Sequence, residues 1–356
     1  MNKSTKEFEL IRPLYERFRI KATSLIKELI SESDIDIASI ESRTKEIESF
    51  DEKTSRPEKN YKDPIKEITD LCGIRIITYY TEEIYKIAEL LEKEFEIDTG
   101  NSIDKTKINS PDKFGYLSLH YVVKLGKKRN TLVEWKSYKD LKIEIQIRTI
   151  LQHSWATIDH KLRYKTKREI PSILKRKIYR LSALLELADE QFLSIKKETE
   201  NLQNDIDTSI DSGNLKIEIN LLSVDSFLNA NPKVDKIIEI ALKCGYKEDE
   251  DEINYTTDTD QYFLNRLINV INKSSIKSIE DLDKLLDSDS DKIEKAFFEF
   301  LNLFKTKTKD DFHTIGTDLI AILIIMLDDN IDFSNQISLK DIDWKPFVET
   351  IREIKK

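Results

Sequence analysis

Residues 142–165, KIEIQIRTILQHSWATIDHKLRYK, gather the densest set of chemically capable side chains in the sequence. The segment opens in strict alternation, with Ile143, Ile145 and Ile147 on one side and Glu144, Gln146 and Arg148 on the other. That is the period of a β-strand with one apolar and one polar face. A helix carrying His153 and His160 follows. Glu, Gln and Arg on one strand face offer a polar ligand an acceptor, an amide and a cation. An ordinary amphipathic strand with a solvated outer face gives the same pattern, so the reading depends on what lies upstream.

Three upstream groups matter. In ITDLCGIRIITYY, Asp70 stands just before a β-branched run, Arg75 projects from it, and Gly73 permits close approach of a backbone or ligand. Alone, Asp70 fits a turn residue. Paired with Glu144 on another strand, it fits a clamp for Mg²⁺, which takes one or two protein carboxylates while substrate phosphates complete its octahedron. In SRTKEIESFDEKTSR, the cations Arg43, Lys45, Lys53 and Arg56 punctuate a helix end and loop. Interleaved Glu41, Glu46, Glu48, Asp51 and Glu52 allow a solvated charged helix instead. Yet a triphosphate needs several cations, and guanidinium planes such as Arg43 and Arg75 can face the two sides of one base. In SPDKFGYLSLHYVV, Gly115 frees the loop, Tyr116 offers a stacking face or an edge residue, and Ser118 and His120 alternate onto one side of the next strand.

The elements that must carry these groups follow from periodicity. Helices are expected over 6–31, 36–50, 82–95, 149–164 and 172–200, and strands over 72–80, 118–125, 131–135 and 141–147, with a glycine-punctuated loop over 100–117. This is an α+β arrangement, a mixed sheet enclosed by helices. A polar stretch at 201–216, with Ser-Gly-Asn punctuation, reads as a linker and sets the domains at 1–210 and 211–356. The second has helical spacing at 222–229, 234–243, 261–272, 279–286, 291–304, 314–327 and 344–355, a short strand expected at 215–219, and His313 as a helix-start residue. The two parts differ in charge: net +2 over 1–210 and net −11 over 211–356.

At 356 residues, 39% hydrophobic and 35% charged, the chain is expected to be soluble and globular. Its first residues lack a signal-peptide core, and its longest apolar run, 319–327, is shorter than the roughly 18 residues a membrane span requires. A cytoplasmic protein without membrane contact is expected. Cys72 and Cys244 are too few for a disulfide framework and sit in apolar contexts, and the four histidines show no metal-ligand spacing with them.

DLCGIR, GYLSLHY and EIQIRTILQHSWATIDHKLRYK, in that order after SRTK, resemble the synthetase domain of the RelA/SpoT family over residues 5–200. The resemblance implies a nucleotidyltransferase-like fold and transfer of the β,γ-pyrophosphate of ATP to the ribose 3′-hydroxyl of GDP or GTP, making ppGpp or pppGpp, with Mg²⁺. It implies that Arg43 and Arg75 sandwich adenine and that Lys45, Lys53 and Arg56 grip the donor phosphates. Asp70 and Glu144 would be the catalytic, metal-associated acids, Tyr116 would stack on the acceptor guanine, and His120, Gln146 and His153 would line the acceptor side.

His153 departs from the Asn or Asp common in small single-domain members and puts guanine selectivity in question. Toxic members of the family pyrophosphorylate the 3′ end of tRNA, and the run 161–180, with nine basic residues and one acid, offers a polyanion surface. Phage defence and a degenerate nucleotide- or RNA-binding module are further alternatives. Synthesis without hydrolysis is expected, because the first 35 residues read as a helix where long members carry a hydrolase domain. The acidic C-terminal part is expected to act in intramolecular control or to bind a protein regulator, and homo-oligomerisation stays open.

Overall fold

The computed structural model describes residues 3–56, 60–104, 118–165, 171–248, 257–308, 312–314, 316–331, 350 and 353. Two compact units divide the chain, Met1–Lys197 and Glu198–Lys356.

The first unit is built on a six-stranded mixed sheet. Its strands are β1 (Ile37–Thr44), β2 (Cys72–Thr78), β3 (Phe95–Ile97), β4 (Ile103–Asp104), β5 (Leu119–Leu125) and β6 (Ile143–Thr149). The order is β1-β2-β6-β5-β3, with β4 also on β5, and only the central β2–β6 pair is parallel. In β2 and β6 the residues Cys72, Ile74, Ile76, Ile143, Ile145 and Ile147 are buried, while Gly73, Arg75, Glu144 and Gln146 alternate to the other face. The apolar face is covered by α1 (Lys3–Ser31), through Phe8, Tyr15, Phe18, Ala22, Ile26 and Ile30, and by α4 (Thr81–Glu94), through Ile84, Ile87, Ala88 and Leu91. Such i, i+3, i+4 spacing is what commits each helix to one side of a sheet. Two short helices, α2 (Ile47–Thr54) and α3 (Pro64–Glu67), link β1 to β2, and α5 (Lys127–Asn130) follows β5.

At the end of β6 the chain enters α6 (Ile150–Lys165) through a reciprocal cap. The Thr149 N–H donates to Gln152 Oε1 at 3.0 Å and the Gln152 N–H to Thr149 Oγ1 at 3.1 Å, satisfying two helix-start donors. The Thr149 hydroxyl also donates to Asp189 Oδ2 at 2.8 Å, on α7 (Ser172–Asp211).

Two expected elements are replaced. Residues 36–50 form β1 and the start of α2 rather than one helix. As an edge strand β1 exposes both Glu41 and Arg43, which hides its apolar face in the sequence, and its pairing partner lies some thirty residues away. Residues 131–135 are turns, not a strand. Leu132 and Val133 are exposed there, and Trp135 and Tyr138 turn inward, with Tyr138 stacked 5.6 Å from Phe18 and the Lys21 amine over the Trp135 and Tyr138 rings.

The linker expectation is also corrected. Residues 201–211 continue α7, which ends at a turn where Gly213 adopts φ +76°, a conformation glycine reaches without strain. The second unit holds α8 (Leu221–Ala230), α9 (Lys233–Lys243), β7 (Lys247–Glu248), α10 (Thr257–Ile271), α11 (Ile279–Leu286), α12 (Ser290–Thr308), β8 (His313–Thr314) and α13 (Gly316–Leu327). Its core centres on α13, whose residues 318–325 are all buried. Residues 215–219 make only an isolated bridge, Glu218 to Ser278, and His313 lies in β8 paired with Lys247 instead of opening a helix. Of 344–355, only 350 and 353 are among the described residues. No helix among the described residues is long and apolar enough to cross a membrane.

Candidate functional site

The polar face of the sheet carries the site. In register across β2 and β6, Gly73 lies beside Glu144 and Arg75 beside Gln146. β1 places Arg43 beside Gly73 and Glu41 beside Arg75, and β5 places His120 beside Gln146. Two rows therefore cross the sheet: Glu41, Arg75, Gln146, His120, and Arg43, Gly73, Glu144, Val122. A single cleft is lined by Glu41, Ser42, Arg43, Asp70, Gly73, Ile74, Arg75, Glu144 and Gln146. Gly73 keeps its floor open, since a Cβ there would stand 3.7 Å from the Glu144 carbonyl oxygen and point from the same face as the charged residues.

Asp70 sits at the cleft edge between two ammonium groups. Lys45 Nζ lies 2.7 Å from one carboxylate oxygen and Lys53 Nζ 2.8 Å from the other. Burial alone would raise this carboxyl, but hydrogen bonds and charge from both lysines outweigh it and hold it below the usual aspartate range. Lys45 is itself fixed, its N–H donating to the Leu71 carbonyl at 2.9 Å and its carbonyl accepting from Arg12 Nε at 3.1 Å.

On the strands, Arg75 Nη1 pairs with Glu41 Oε2 at 2.9 Å. Gln146 Nε2 donates to Glu144 Oε1 at 2.6 Å, and Arg148 Nη2 donates to Gln146 Oε1. His120 Nδ1 lies 3.5 Å from Glu144 Oε1, and its Nε2 is 2.8 Å from Ser118 Oγ. His153, in the first turn of α6, has a buried Nδ1 with no hydrogen-bond partner. Burial, then the charge of Arg75, holds its ring below the ordinary histidine value.

The structure thus brings Arg43, Asp70, Arg75, Glu144 and Gln146 into one cleft, with Lys45, Lys53 and His120 in contact with its carboxylates. Arg56 is not part of that lining; it is exposed and 3.6 Å from Glu52. Tyr116 and Gly115 lie outside the described residues. Glu41, which in the sequence pattern is one acid of a charged helix, is the partner of Arg75 on the cleft. The signal was its i, i+2 relation to Arg43, meaningful only once 37–44 is a strand. Arg19, which donates to Ser42 Oγ at 2.8 Å, gave no sequence signal at all.

Residues 42–169 match the family described as a region found in RelA/SpoT proteins. The chain is 32% identical over 163 residues to GTP pyrophosphokinase YwaC of Bacillus subtilis (strain 168), covering 45% of this chain and 73% of that protein. This chain belongs to the RelA/SpoT family. A second relative, GTP pyrophosphokinase YjbM of the same organism, is 32% identical over 142 residues, 39% of this chain and 63% of the relative. Among solved structures, small alarmone synthetase 2 from Bacillus subtilis aligns at 27% identity and a TM-score of 0.45, covering 54% of this chain and 99% of that one. Small alarmone synthetase 1, bound to its product pppGpp, aligns at 27% identity and 0.44, covering 54% and 96%. The family match spans every described residue of the cleft except Glu41.

Proposed function

We propose that this RelA/SpoT protein is an ATP-dependent pyrophosphokinase that transfers the β,γ-pyrophosphate of ATP to the ribose 3′-hydroxyl of GDP or GTP. The observation that carries this reading is the cleft where Arg43, Arg75, Asp70 and Glu144 meet around Gly73, in a chain whose relatives are named GTP pyrophosphokinases.

Arg43 and Arg75 are diagonal neighbours on β1 and β2, a relation of about 7–8 Å in an antiparallel pair. A flat base between two guanidinium planes needs about twice the 3.5–4.0 Å contact distance of stacked atoms, so the spacing suits a purine held on both faces. Lys45 and Lys53, already at Asp70, supply the cations for the donor phosphates. Asp70 and Glu144 put two hard carboxylates on one cleft, a donor set that suits Mg²⁺. When bound, that ion would neutralise charge on the phosphate oxygens.

The chain's own work is alignment and proton removal. The 3′-oxygen attacks the β-phosphorus, the bond from that phosphorus to the α,β-bridging oxygen breaks, and AMP leaves. The hydroxyl proton passes to Glu144, whose Oε1 is held by Gln146 and whose Oε2 makes no hydrogen bond among the described residues. Gln146, His120 and a neutral His153 line the acceptor side. Tyr116 is proposed to stack on the acceptor base, and Arg56 to reach the phosphates from the end of α2. The second unit is proposed to regulate the first or to bind a protein partner, an idea that unchanged activity after deletion of 212–356 would remove.

Incubation with ATP labelled in the β,γ-pyrophosphate and with GDP, GTP, ATP or uncharged tRNA, followed by product separation, tests the reading. Labelled ppGpp or pppGpp together with AMP is expected. Label on tRNA alone would replace the acceptor, and no transfer to any acceptor would overturn the function.

A further inference from the structure

Glu144, Gln146 and Arg148 stand at i, i+2 and i+4 on one face of β6 and are joined by hydrogen bonds along the strand. Their order is chemically constrained. A guanidinium only donates and a carboxylate only accepts, so a side chain between them must accept on one side and donate on the other. The Gln146 amide does this, and Arg148 decides which way it faces: oxygen toward Arg148, nitrogen toward Glu144.

Arg148 is only 8% exposed, its Nε is buried without a hydrogen-bond partner, and no carboxylate forms an ion pair with it among the described residues. Burial and then the neighbouring Arg75 lower its guanidinium to about 10, so it remains a cation at neutral pH. Burying a cation without a direct counterion is costly, and an apolar side chain would fill the same space at lower cost. The charges of Glu144 and Glu41 offset part of that cost, and the relay through Gln146 gives the buried guanidinium its one side-chain hydrogen bond among the described residues.

We propose that Arg148 is a positioning residue for the transfer step: through the Gln146 amide it fixes the Glu144 carboxylate on the cleft floor, with Oε1 occupied and Oε2 turned to the reacting hydroxyl. The inference rests on the transferase reading above. Arg148 touches neither nucleotide; it acts by denying the amide its flipped orientation, in which the glutamine oxygen would oppose the carboxylate.

The test compares Arg148→Met, Arg148→Lys, Gln146→Met and the double variant R148M/Q146M, in steady-state transfer and in calorimetric binding of ATP to EDTA-treated protein. Arg148→Met should lower kcat by about tenfold or more, as expected for a misplaced catalytic group, with the KM and metal-free Kd for ATP held within about twofold. Arg148→Lys, which keeps one donor, should recover most of the rate. R148M/Q146M should be no slower than Gln146→Met alone, because both changes cut one relay. Independent, multiplying losses, or an ATP affinity that falls in step with kcat, would overturn the proposal. If Arg148→Met does not fold, Arg148→Lys with and without Gln146→Met supplies the same cycle. A wild-type protein without transfer activity would instead overturn the function and this inference with it, whereas an active wild type with multiplying variants would overturn the relay alone.

Discussion

Lys53 Nζ lies 2.8 Å from Asp70 Oδ1, leaving the opposite oxygen of the same carboxylate to Lys45. The free site is therefore charge-paired before any nucleotide arrives. Asp70→Asn should lower transfer by more than about a hundredfold, the scale of a lost charge-stabilising group at a reaction centre. Its melting temperature should change little, because partly exposed pairs of this kind contribute only about 0–1 kcal/mol. Near-normal transfer by the purified variant would remove Asp70 from the mechanism.

Gly73 tests whether the cleft floor must be bare. Its Cβ position has only an ordinary 3.7 Å contact and no positive φ, so Gly73→Ala and Gly73→Val should both fold. The valine, projecting between Arg43 and Glu144, should abolish calorimetric ATP binding, and the alanine should weaken it less. Unchanged binding by Gly73→Val would put the nucleotide elsewhere.

Thr149→Val keeps the side-chain shape and deletes the hydroxyl that caps α6 and reaches Asp189. A loss of about 1–2 kcal/mol is expected from the cap alone, read as a lower urea midpoint at constant slope. An unchanged midpoint would mean that the cap is dispensable.

His153 should titrate below its ordinary 6.5 because burial and the Arg75 charge disfavour the imidazolium. Between the folded and the unfolded value the unfolded chain binds more protons, so this residue makes stability rise with pH and fall as pH drops below about 6.5. Ring-proton NMR across that range checks the direction. A value above 6.5 would contradict it.

The two cysteines should separate by reactivity. Cys72 is fully buried, and burial pushes its thiol up to about 12, whereas Cys244 is only partly covered. At pH 8 a disulfide reagent should titrate one thiol in the native protein and the second after unfolding. Two fast native thiols would be inconsistent with the packing around β2.

Legibility in the sequence followed burial. β6 was readable because isoleucines alternate with polar groups for most of its length, β2 because it is a β-branched run, and α4 because its apolar residues recur at helical spacing. β1 was not, since its form depends on pairing with β2 and its outer face must stay polar to make the site. The same long-range dependence hid Glu41 as the partner of Arg75. Residues 131–135 misled because two exposed apolar side chains, Leu132 and Val133, imitate a strand that has no ladder to join. At 201–211 polar composition suggested a linker, although a solvated helix has the same composition.

Thr149 gives the first unit a mechanical property. One hydroxyl fastens the end of β6, the first turn of α6 and the middle of α7, so it works as a rivet through three plates. Glu144 lies five residues before it and His153 four after, so the same joint anchors the strand-to-helix turn on which both side chains are carried.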